Sequence, residues 1–293
     1  MTRETAVILD GGLATRLEAM GHDLTDALWS ARLLRDDPAA VVEAHLAFLR
    51  AGAQVITTAS YQASYTGFAA AGIDEDETTV LLRRSVELAR EAVDRHHAET
   101  GRRARVAASL GPYGASLADG SEYRGRYGLP VADLRDWHAH RLEVLAETGA
   151  DLLACETIPD LDEAEALVGL LAGSGLWAWL SYTVDGEHTR AGQPLDEAFA
   201  VASGVGEIVA VGVNCSAPQE VPAAIEAAVA TGLPAVVYPN SGEAWDAEAR
   251  RWVGAGTRLA DDASEWAAAG ARYIGGCCRV TPADIAAIAS SLR

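Results

Sequence analysis

The residues with the most distinctive chemistry in this chain are three of its cysteines. Cys277 and Cys278 are adjacent and follow Gly275 and Gly276, and Cys215 ends an apolar segment earlier in the chain. Thiolates are strong zinc ligands, and three of them leave a fourth tetrahedral position for a substrate. The pattern therefore predicts a Zn²⁺ site formed by Cys215, Cys277 and Cys278.

The alternative for these cysteines is a packing role, because free cysteine commonly behaves as a small buried hydrophobic side chain. Two adjacent cysteines after two glycines favour metal binding, since glycine gives the backbone the conformational latitude that consecutive ligands require. The fourth cysteine, Cys155, lies inside an apolar segment, and we expect it to pack in the core. Four cysteines of which two are adjacent are a poor basis for a disulfide framework in a chain of 293 residues.

Short apolar segments alternate with longer amphipathic segments along the chain, a pattern typical of βα units around a parallel sheet. Eight candidate strands can be recognised, at 6–9, 54–58, 105–110, 151–155, 177–182, 208–213, 235–238 and 273–276. Helical segments before several of them end in glycine, as at Gly52 and Gly270, a common helix terminator. Eight such units predict an α/β fold, a single (β/α)8 TIM barrel that forms one domain over residues 1–293.

Reactive groups in such a barrel lie directly after the strands, at the carboxyl-end face. Polar or metal-capable residues end or follow several predicted strands: Asp10, Gly11, Gly12, Tyr113, Glu156, Asn214, Cys215, Asn240, Ser241, Cys277 and Cys278. We therefore expect one site at this rim, with the three cysteines converging on it.

Composition and charge exclude several classes of partner. The chain is 49% hydrophobic and 22% charged, which is ordinary for a globular protein, and its formal net charge is −19. Nucleic acids and anionic membrane surfaces are bound by positive patches, so neither is expected as a partner. The first apolar run, 6–9, is too short for a signal peptide, and no apolar run reaches the roughly 18 residues that span a bilayer. We expect a cytoplasmic protein with small-molecule substrates.

Three segments carry a family resemblance. They are DGGLAT at 10–15, GVNC at 212–215 and GGCC at 275–278, and they resemble the signature motifs of the homocysteine S-methyltransferase family. That family includes betaine–homocysteine methyltransferase and the homocysteine domain of cobalamin-dependent methionine synthase. Further segments, GPYGA at 111–115, DGSEY at 119–123 and YPNSGE at 238–243, look like the S-methylmethionine-type enzymes. The resemblance implies a barrel with a zinc site and methyl transfer from a sulfonium donor, S-methylmethionine or S-adenosylmethionine, to homocysteine, giving methionine.

Substrate-binding roles follow from position together with this resemblance. Glu156 is expected to bind the homocysteine ammonium, although a carboxylate at this position also suits a helix N-terminus. Asp10 is expected to assist it or to orient its own loop. Gly11 and Gly12 are expected to donate N–H groups to the homocysteine carboxylate, or else to form only a tight turn. We expect Asn214 to fix its loop, and Asn240 and Ser241 to bind either substrate.

A sulfonium donor is a cation without N–H groups, so aromatic faces and carboxylates are the groups that recognise it. Four tyrosines in or near the loops after strands are candidates, although any one of them could simply cap the core: Tyr61, Tyr113, Tyr123 and Tyr182. The sequence is also compatible with two other functions. One keeps homocysteine but uses betaine or another onium donor, and the other is a barrel with a structural or redox-sensing zinc site and no methyl transfer.

Overall fold

The computed structural model describes residues 6–25, 28–246 and 251–293. Its central element is a parallel sheet of eight strands. These are β1 Val7–Ile8, β2 Val55–Thr57, β3 Arg105–Leu110, β4 Leu152–Ile158, β5 Ala178–Tyr182, β6 Ile208–Asn214, β7 Ala235–Tyr238 and β8 Ala271–Ile274. Each strand pairs with its neighbour in chain order from β2 to β8, and β8 pairs with β1. A parallel bridge between Leu9 and Val55 joins β1 to β2. The predicted (β/α)8 barrel is therefore confirmed.

Helices surround the sheet. In the described part of the chain they are α1 Leu13–Ala19, α2 Leu33–Asp36, α3 Pro38–Ala51, α4 Tyr65–Ala70, α5 Glu75–Thr100, α6 Tyr113–Leu117, α7 Val131–Ala146, α8 Leu161–Leu171, α9 Leu195–Ala200, α10 Val221–Ala230, α11 Leu259–Ala269 and α12 Pro282–Ser291. Gly52 and Gly270 end α3 and α11 with positive φ angles of 112° and 123°. Each of these glycines therefore terminates its helix in a conformation that glycine adopts without penalty.

Shorter elements lie between the βα units. Single 3-10 turns span Trp29–Arg32, Ser121–Tyr123 and Pro218–Glu220. Two small hairpins pair Val184–Asp185 with His188–Thr189 and Ala244–Asp246 with Arg251–Val253. Every helix in the described ranges is too short or too polar to cross a membrane.

The core has two layers, one inside the barrel and one between the sheet and the helices. The inner layer is built around Trp179, which is fully buried and donates from Nε1 to the Tyr238 hydroxyl at 3.0 Å. Small side chains on neighbouring strands, Ala107, Ala154 and Ala210, share this layer with it. Close packing of one large and several small residues fills the barrel and leaves the polar side chains at the strand ends to form its upper surface.

The register of one strand pair is irregular. Pairing of β4 with β5 shifts between Cys155 and Ile158, so that Glu156 and Thr157 lie in a β-bulge. The sequence predicts that this strand ends at Cys155, whereas it continues to Ile158. Glu156 is thus held inside a strand rather than in the loop that follows, which gives its side chain a more rigid base.

Candidate metal centre and substrate site

The three predicted ligands come together at the carboxyl-end rim. The sulfur atoms of Cys215, Cys277 and Cys278 all lie within 4.8 Å of one another, and Cys215 Sγ is 3.7 Å from Cys278 Sγ. Tetrahedral zinc with Zn–S bonds of about 2.3 Å places its sulfur ligands about 3.8 Å apart. The three thiols therefore have the spacing and the donor chemistry of a thiolate metal site.

Cys215 is positioned by an unusual backbone conformation at the end of β6. Its φ angle is 53°, in the left-handed region that non-glycine residues occupy at a cost of roughly 1–3 kcal/mol. Surrounding bonds hold it: its N–H donates to the Tyr238 carbonyl at 3.3 Å, and Thr183 Oγ1 donates to its carbonyl at 3.4 Å. This turn directs the Cys215 side chain towards the loop after β8.

The Cys277–Cys278 loop is held by the loops after β1 and β7 through consecutive N–H groups. Gly276 donates to the Asp10 carbonyl at 3.0 Å, Cys277 to the Pro239 carbonyl at 2.8 Å, and Cys278 to Asn240 Oδ1 at 3.1 Å. The ligand pair is thus oriented by residues that are distant in the chain.

The glycines before this pair have a different role from the predicted one. Neither Gly275 nor Gly276 has a positive φ, so conformational latitude is not what they supply. A Cβ at Gly276 would lie 2.3 Å from Val280 Cγ1, and one at Gly275 would lie 2.6 Å from Leu9 Cβ. Because neither glycine has a side chain, the loop packs closely against Leu9, directly after β1, and against Val280, further along the same loop.

Two polar residues after β7 contact the same loop. Besides accepting from Cys278, Asn240 donates its own N–H to the Ser216 carbonyl at 2.9 Å. Ser241 donates its N–H to the Cys278 carbonyl at 3.1 Å and its hydroxyl to Glu243 Oε2 at 2.9 Å. Both residues therefore position a candidate ligand, and their predicted contact with substrate stays a prediction.

Two buried carboxyl groups lie deeper in the mouth of the barrel. Ser109 Oγ donates a short hydrogen bond to Glu156 Oε1, and burial raises the pKa of Glu156 to about 7. Asp10 accepts from the Thr57 N–H at 2.8 Å and from Thr57 Oγ1 at 3.2 Å. Burial, reinforced by the charge of Glu156, raises the Asp10 pKa to about 8. Two carboxyl groups that resist ionisation next to one another form a favourable site for a bound cation.

The glycines after β1 allow close packing of their loop. The Gly12 N–H donates to the Val280 carbonyl at 3.0 Å, as a tight turn would require, and its predicted contact with a substrate carboxylate stays a prediction. A Cβ at Gly11 would lie 2.6 Å from the Val280 carbonyl oxygen, and one at Gly12 would lie 2.6 Å from that of Cys277. The close approach brings the loop after β1 against the cysteine loop.

The four candidate tyrosines separate into distinct environments. The Tyr123 hydroxyl lies 3.3 Å from Cys215 Sγ, and the Tyr61 hydroxyl bonds to Thr157, next to Glu156. Tyr182 is buried and donates to the Ala198 carbonyl at 2.7 Å in the layer between sheet and helices. The prediction that Tyr182 recognises the donor is therefore wrong, because its position in β5 faces away from the barrel interior.

Tyr113 lies at the start of α6 and is tied to a buried polar network. Its N–H donates to Glu163 Oε1 at 2.5 Å, and its ring lies 5.2 Å from the rings of both Tyr127 and Trp137. No contact joins it to the cysteines within the residues described, so its predicted substrate role stays a prediction.

Several residues of the site were missed by reasoning from sequence. Ser109 donates to Glu156, the Tyr238 hydroxyl lies beside Glu156, and Thr157 exchanges hydrogen bonds with Asn214. Alternation along β3 and β7 is the signal that points to Ser109 and Tyr238, since it places them on the same face as Ala107 and Val236 of the inner layer. Cys155 is fully buried in the outer core layer, and burial raises the pKa of its thiol to about 12, in agreement with the predicted packing role.

A (β/α)8 barrel whose rim combines three convergent thiols with two buried carboxyl groups belongs to the class of barrel enzymes with a thiolate metal site. The family model described as homocysteine S-methyltransferase matches residues 7–292. The chain belongs to this family.

Relatives and a solved structure match over nearly the full length. Homocysteine S-methyltransferase of Escherichia coli K12 is 49% identical, with 98% of this chain and 96% of the relative covered. Homocysteine S-methyltransferase 4 of Zea mays is 47% identical, with 98% and 89% covered. The metallated form of the E. coli homocysteine methyltransferase MmuM superposes with a TM-score of 0.88 at 47% identity, covering 98% and 96% of the two chains. A similar protein thus exists in a metal-bound form.

Proposed function

We propose that this chain transfers a methyl group from a sulfonium donor, S-methylmethionine or S-adenosylmethionine, to the thiol of L-homocysteine. The observation that carries the proposal is the convergence of three thiols on the rim that also holds Glu156 and Asp10. In the reaction the homocysteine sulfur forms a bond to the methyl carbon while the bond from that carbon to the donor sulfur breaks. Methionine and a neutral thioether result, and the thiol proton leaves to solvent.

The metal we propose is Zn²⁺, held by Cys215, Cys277 and Cys278. The sulfur spacing and the all-thiolate donor set fit it, because soft ligands in a tetrahedral arrangement favour zinc. A free thiol titrates near 8.5 and is mostly protonated at neutral pH. Zn²⁺, when bound, supplies an open fourth position at which a thiol loses its proton and becomes a good nucleophile.

Glu156 and Asp10 are the proposed partners of the homocysteine ammonium. Both are buried, and both resist losing their proton in the absence of a cation. An ammonium group between them offsets their mutual repulsion and draws both into the charged form. Homocysteine would thereby lie with its amino group inside the mouth and its sulfur towards the cysteines.

Two other functions make different predictions. With betaine as the donor, the proposed homocysteine site would be the same. A measurement of turnover with each donor is therefore needed to tell betaine from a sulfonium donor. A purely structural zinc site is usually closed by four protein ligands. Within residues 6–25, 28–246 and 251–293 the metal-capable group has three members, which favours a site with an open position.

We further propose that residues 1–293 form one domain, since the barrel strands run from Val7 to Ile274 with α12 closing the chain. A cytoplasmic location is proposed as well, because all four cysteines are unpaired, as thiols are in a reducing compartment.

The test is turnover by the purified, zinc-loaded chain with homocysteine and each of three donors: S-methylmethionine, S-adenosylmethionine and betaine. Methionine formation is followed by chromatography. We expect methionine with at least one sulfonium donor. Turnover of betaine with neither sulfonium donor active would overturn the donor assignment. Absence of methionine with every donor in the folded, zinc-loaded protein would overturn methyl transfer itself.

A further inference from the structure

A third acidic residue lies at the mouth of the barrel, in addition to Glu156 and Asp10. Glu122 belongs to the 3-10 turn Ser121–Tyr123 in the segment after α6, and only 4% of its surface is exposed. This turn packs directly on α6, since a Cβ at Gly114 would lie 2.5 Å from the Glu122 nitrogen. The glycine lets the acidic residue lie deep in the rim rather than over it.

One oxygen of this carboxyl group has no partner. Glu122 Oε2 is buried and makes no hydrogen bond within the described part of the chain. The nearby cation Arg124 is engaged elsewhere: it donates to Ser121 Oγ at 2.8 Å and pairs with Asp119 at 3.5 Å, and its side chain is largely exposed. A buried carboxylate oxygen without a partner costs free energy. Such an atom is expected to gain its partner when a ligand binds.

The 3-10 turn that carries Glu122 contacts the proposed metal site. Burial raises the pKa of Glu122, with a smaller contribution from a negative charge on Cys215, and burial likewise raises the pKa of Tyr61, with a smaller contribution from the charge of Glu122. The next residue, Tyr123, has its hydroxyl 3.3 Å from Cys215 Sγ. Glu122 is therefore one residue from a direct contact with Cys215, in the segment after α6, whereas Glu156 and Asp10 lie on β4 and directly after β1.

We infer that Glu122 is the anionic group that receives the positive charge of the methyl donor's sulfonium, with Tyr61 and Tyr123 beside it. This inference rests on the proposed methyl transfer. Glu156 and Asp10 match the ammonium of homocysteine, and the other buried acids, Asp160 and Glu163, accept hydrogen bonds on both oxygens. Among the described residues, Glu122 is thus the buried acid with an oxygen left for a second cation. A sulfonium has no N–H to donate, so it is bound by a carboxylate through charge and by tyrosine rings through their electron-rich faces.

The chemistry of the transfer determines which kinetic constant Glu122 controls. The positive charge on sulfur is full in the bound donor, partly lost in the transition state and absent from the thioether product. An acidic group beside it therefore stabilises the bound donor at least as much as the transition state. Its removal raises the donor KM and leaves kcat little changed, and the loss of charge after transfer favours product release.

The test compares the wild type with Glu122→Gln, which keeps the shape and removes the charge, and with Glu122→Asp, which keeps the charge. Glu226→Gln, at an exposed position on α10, is the matched control for loss of one negative charge. We expect E122Q to raise the KM for S-methylmethionine by about tenfold or more, with kcat within about threefold. The homocysteine KM and the zinc content are expected to stay unchanged, E122D to be intermediate, and E226Q to behave as wild type.

A binding measurement separates the charge from the rest of the donor. Isothermal titration of the zinc-loaded protein, without homocysteine, compares S-methylmethionine with methionine, its counterpart without a charge on sulfur. We expect E122Q to reduce the preference for the sulfonium by about tenfold relative to wild type.

Three outcomes would overturn the inference while leaving the proposed function standing: an unchanged donor KM in folded, zinc-loaded E122Q, equal impairment of E122Q and E122D, or an unchanged binding preference. Failure of the wild type to use any sulfonium donor would instead overturn the proposed function, and the inference with it.

Discussion

Asn214 and Thr157 exchange two hydrogen bonds across the mouth of the barrel. The Thr157 N–H donates to Asn214 Oδ1 at 2.7 Å, and Asn214 Nδ2 donates to Thr157 Oγ1 at 2.7 Å. Thr157 follows Glu156 and has a φ of 59°, while Asn214 precedes Cys215, whose φ is 53°. This amide thus links the proposed ammonium-binding residue to a proposed metal ligand, and it joins two residues in unfavourable backbone conformations.

Asn214→Ala should destabilise the protein and impair both the proposed ammonium site at Glu156 and the proposed metal site at Cys215. It would leave the Thr157 N–H without its partner, and Ser181 Oγ would lose an acceptor that is now 2.8 Å away. We expect a loss of about 2–4 kcal/mol in the free energy of unfolding, measured by urea denaturation. A double-mutant cycle with Thr157→Ala should give a coupling of about 1–3 kcal/mol, whereas strictly additive effects would contradict the link.

Replacement of each proposed ligand should remove the metal while the fold remains. For Cys215→Ser, Cys277→Ser and Cys278→Ser we expect zinc affinity to fall by at least roughly 100-fold, since even residues behind the ligands commonly cost 10–100-fold. Zinc per chain after dialysis, together with circular dichroism, measures this. Cys155→Ala is the matched control, because its thiol lies in the outer core layer. Full zinc retention by any of the three serine variants would show that the replaced cysteine is not a zinc ligand.

Asp10 should make the stability of the substrate-free protein depend on pH. Its folded pKa is about 8, above the usual 3.8, so the folded state keeps a proton that the unfolded chain releases. The free energy of unfolding therefore falls, for this group, as pH rises from about 4 to about 8. Asp10→Asn keeps an acceptor for the Thr57 N–H without the charge.

We expect the stability of Asp10→Asn, relative to wild type, to increase with pH and to exceed it by up to roughly 3 kcal/mol at pH 8. Urea denaturation at pH 5, 6, 7 and 8 checks this, with exposed Asp133→Asn as the control. A wild type that is more stable than D10N at pH 8 would refute it.

Glu163 should stabilise the protein strongly by holding the loop after β3. Fully buried, it accepts from the Tyr113 N–H at 2.5 Å and lies 2.9 Å from His138 Nε2, while the Tyr127 hydroxyl donates to its Oε2 at 3.2 Å. Glu163→Ala would leave these groups buried without their shared acceptor, and we expect a loss of about 3–5 kcal/mol in the free energy of unfolding. Glu165→Ala, exposed on the same helix, should change it by less than about 0.5 kcal/mol. Equal effects of the two substitutions would exclude the network as the cause.

Gly212 should tolerate no side chain. A Cβ there would lie 1.8 Å from the Val236 carbonyl oxygen, between β6 and β7. Gly212→Ala is expected to disrupt this pairing and cost about 3 kcal/mol or more, or to prevent folding. Gly169→Ala in α8 meets nothing within 4 Å and should stabilise the protein by about 0.5–1 kcal/mol. Thermal unfolding of the two variants gives the comparison, and similar midpoints would disprove the steric argument.

Much of the fold was predictable because the signals for it are local. Apolar runs and helix-terminating glycines recur along the chain, and the observed strands overlap all eight predicted segments. The boundary errors have physical causes that a local pattern does not contain. The segment ending at Cys155 continues to Ile158 because a bulge in its pairing with β5 keeps Glu156 and Thr157 in the strand. Tyr182 was expected near the site, but it lies on the outer face of β5. Its position near the end of a strand does not by itself determine which face it occupies.

By itself, the amino-acid sequence determined the order of the strands and which residues end or follow each one. Because the carboxyl ends of parallel strands share one face of a barrel, Cys215, Cys277 and Cys278 had to lie on the same rim. Only the tertiary structure decided their spacing, the left-handed turn at Cys215 and the partners of the buried carboxyl groups. These features depend on hydrogen bonds between residues that are distant in the chain, such as Gly276 with Asp10 and Thr157 with Asn214. Contacts of this kind leave no periodic signal in the sequence, and they exist only once the barrel has closed.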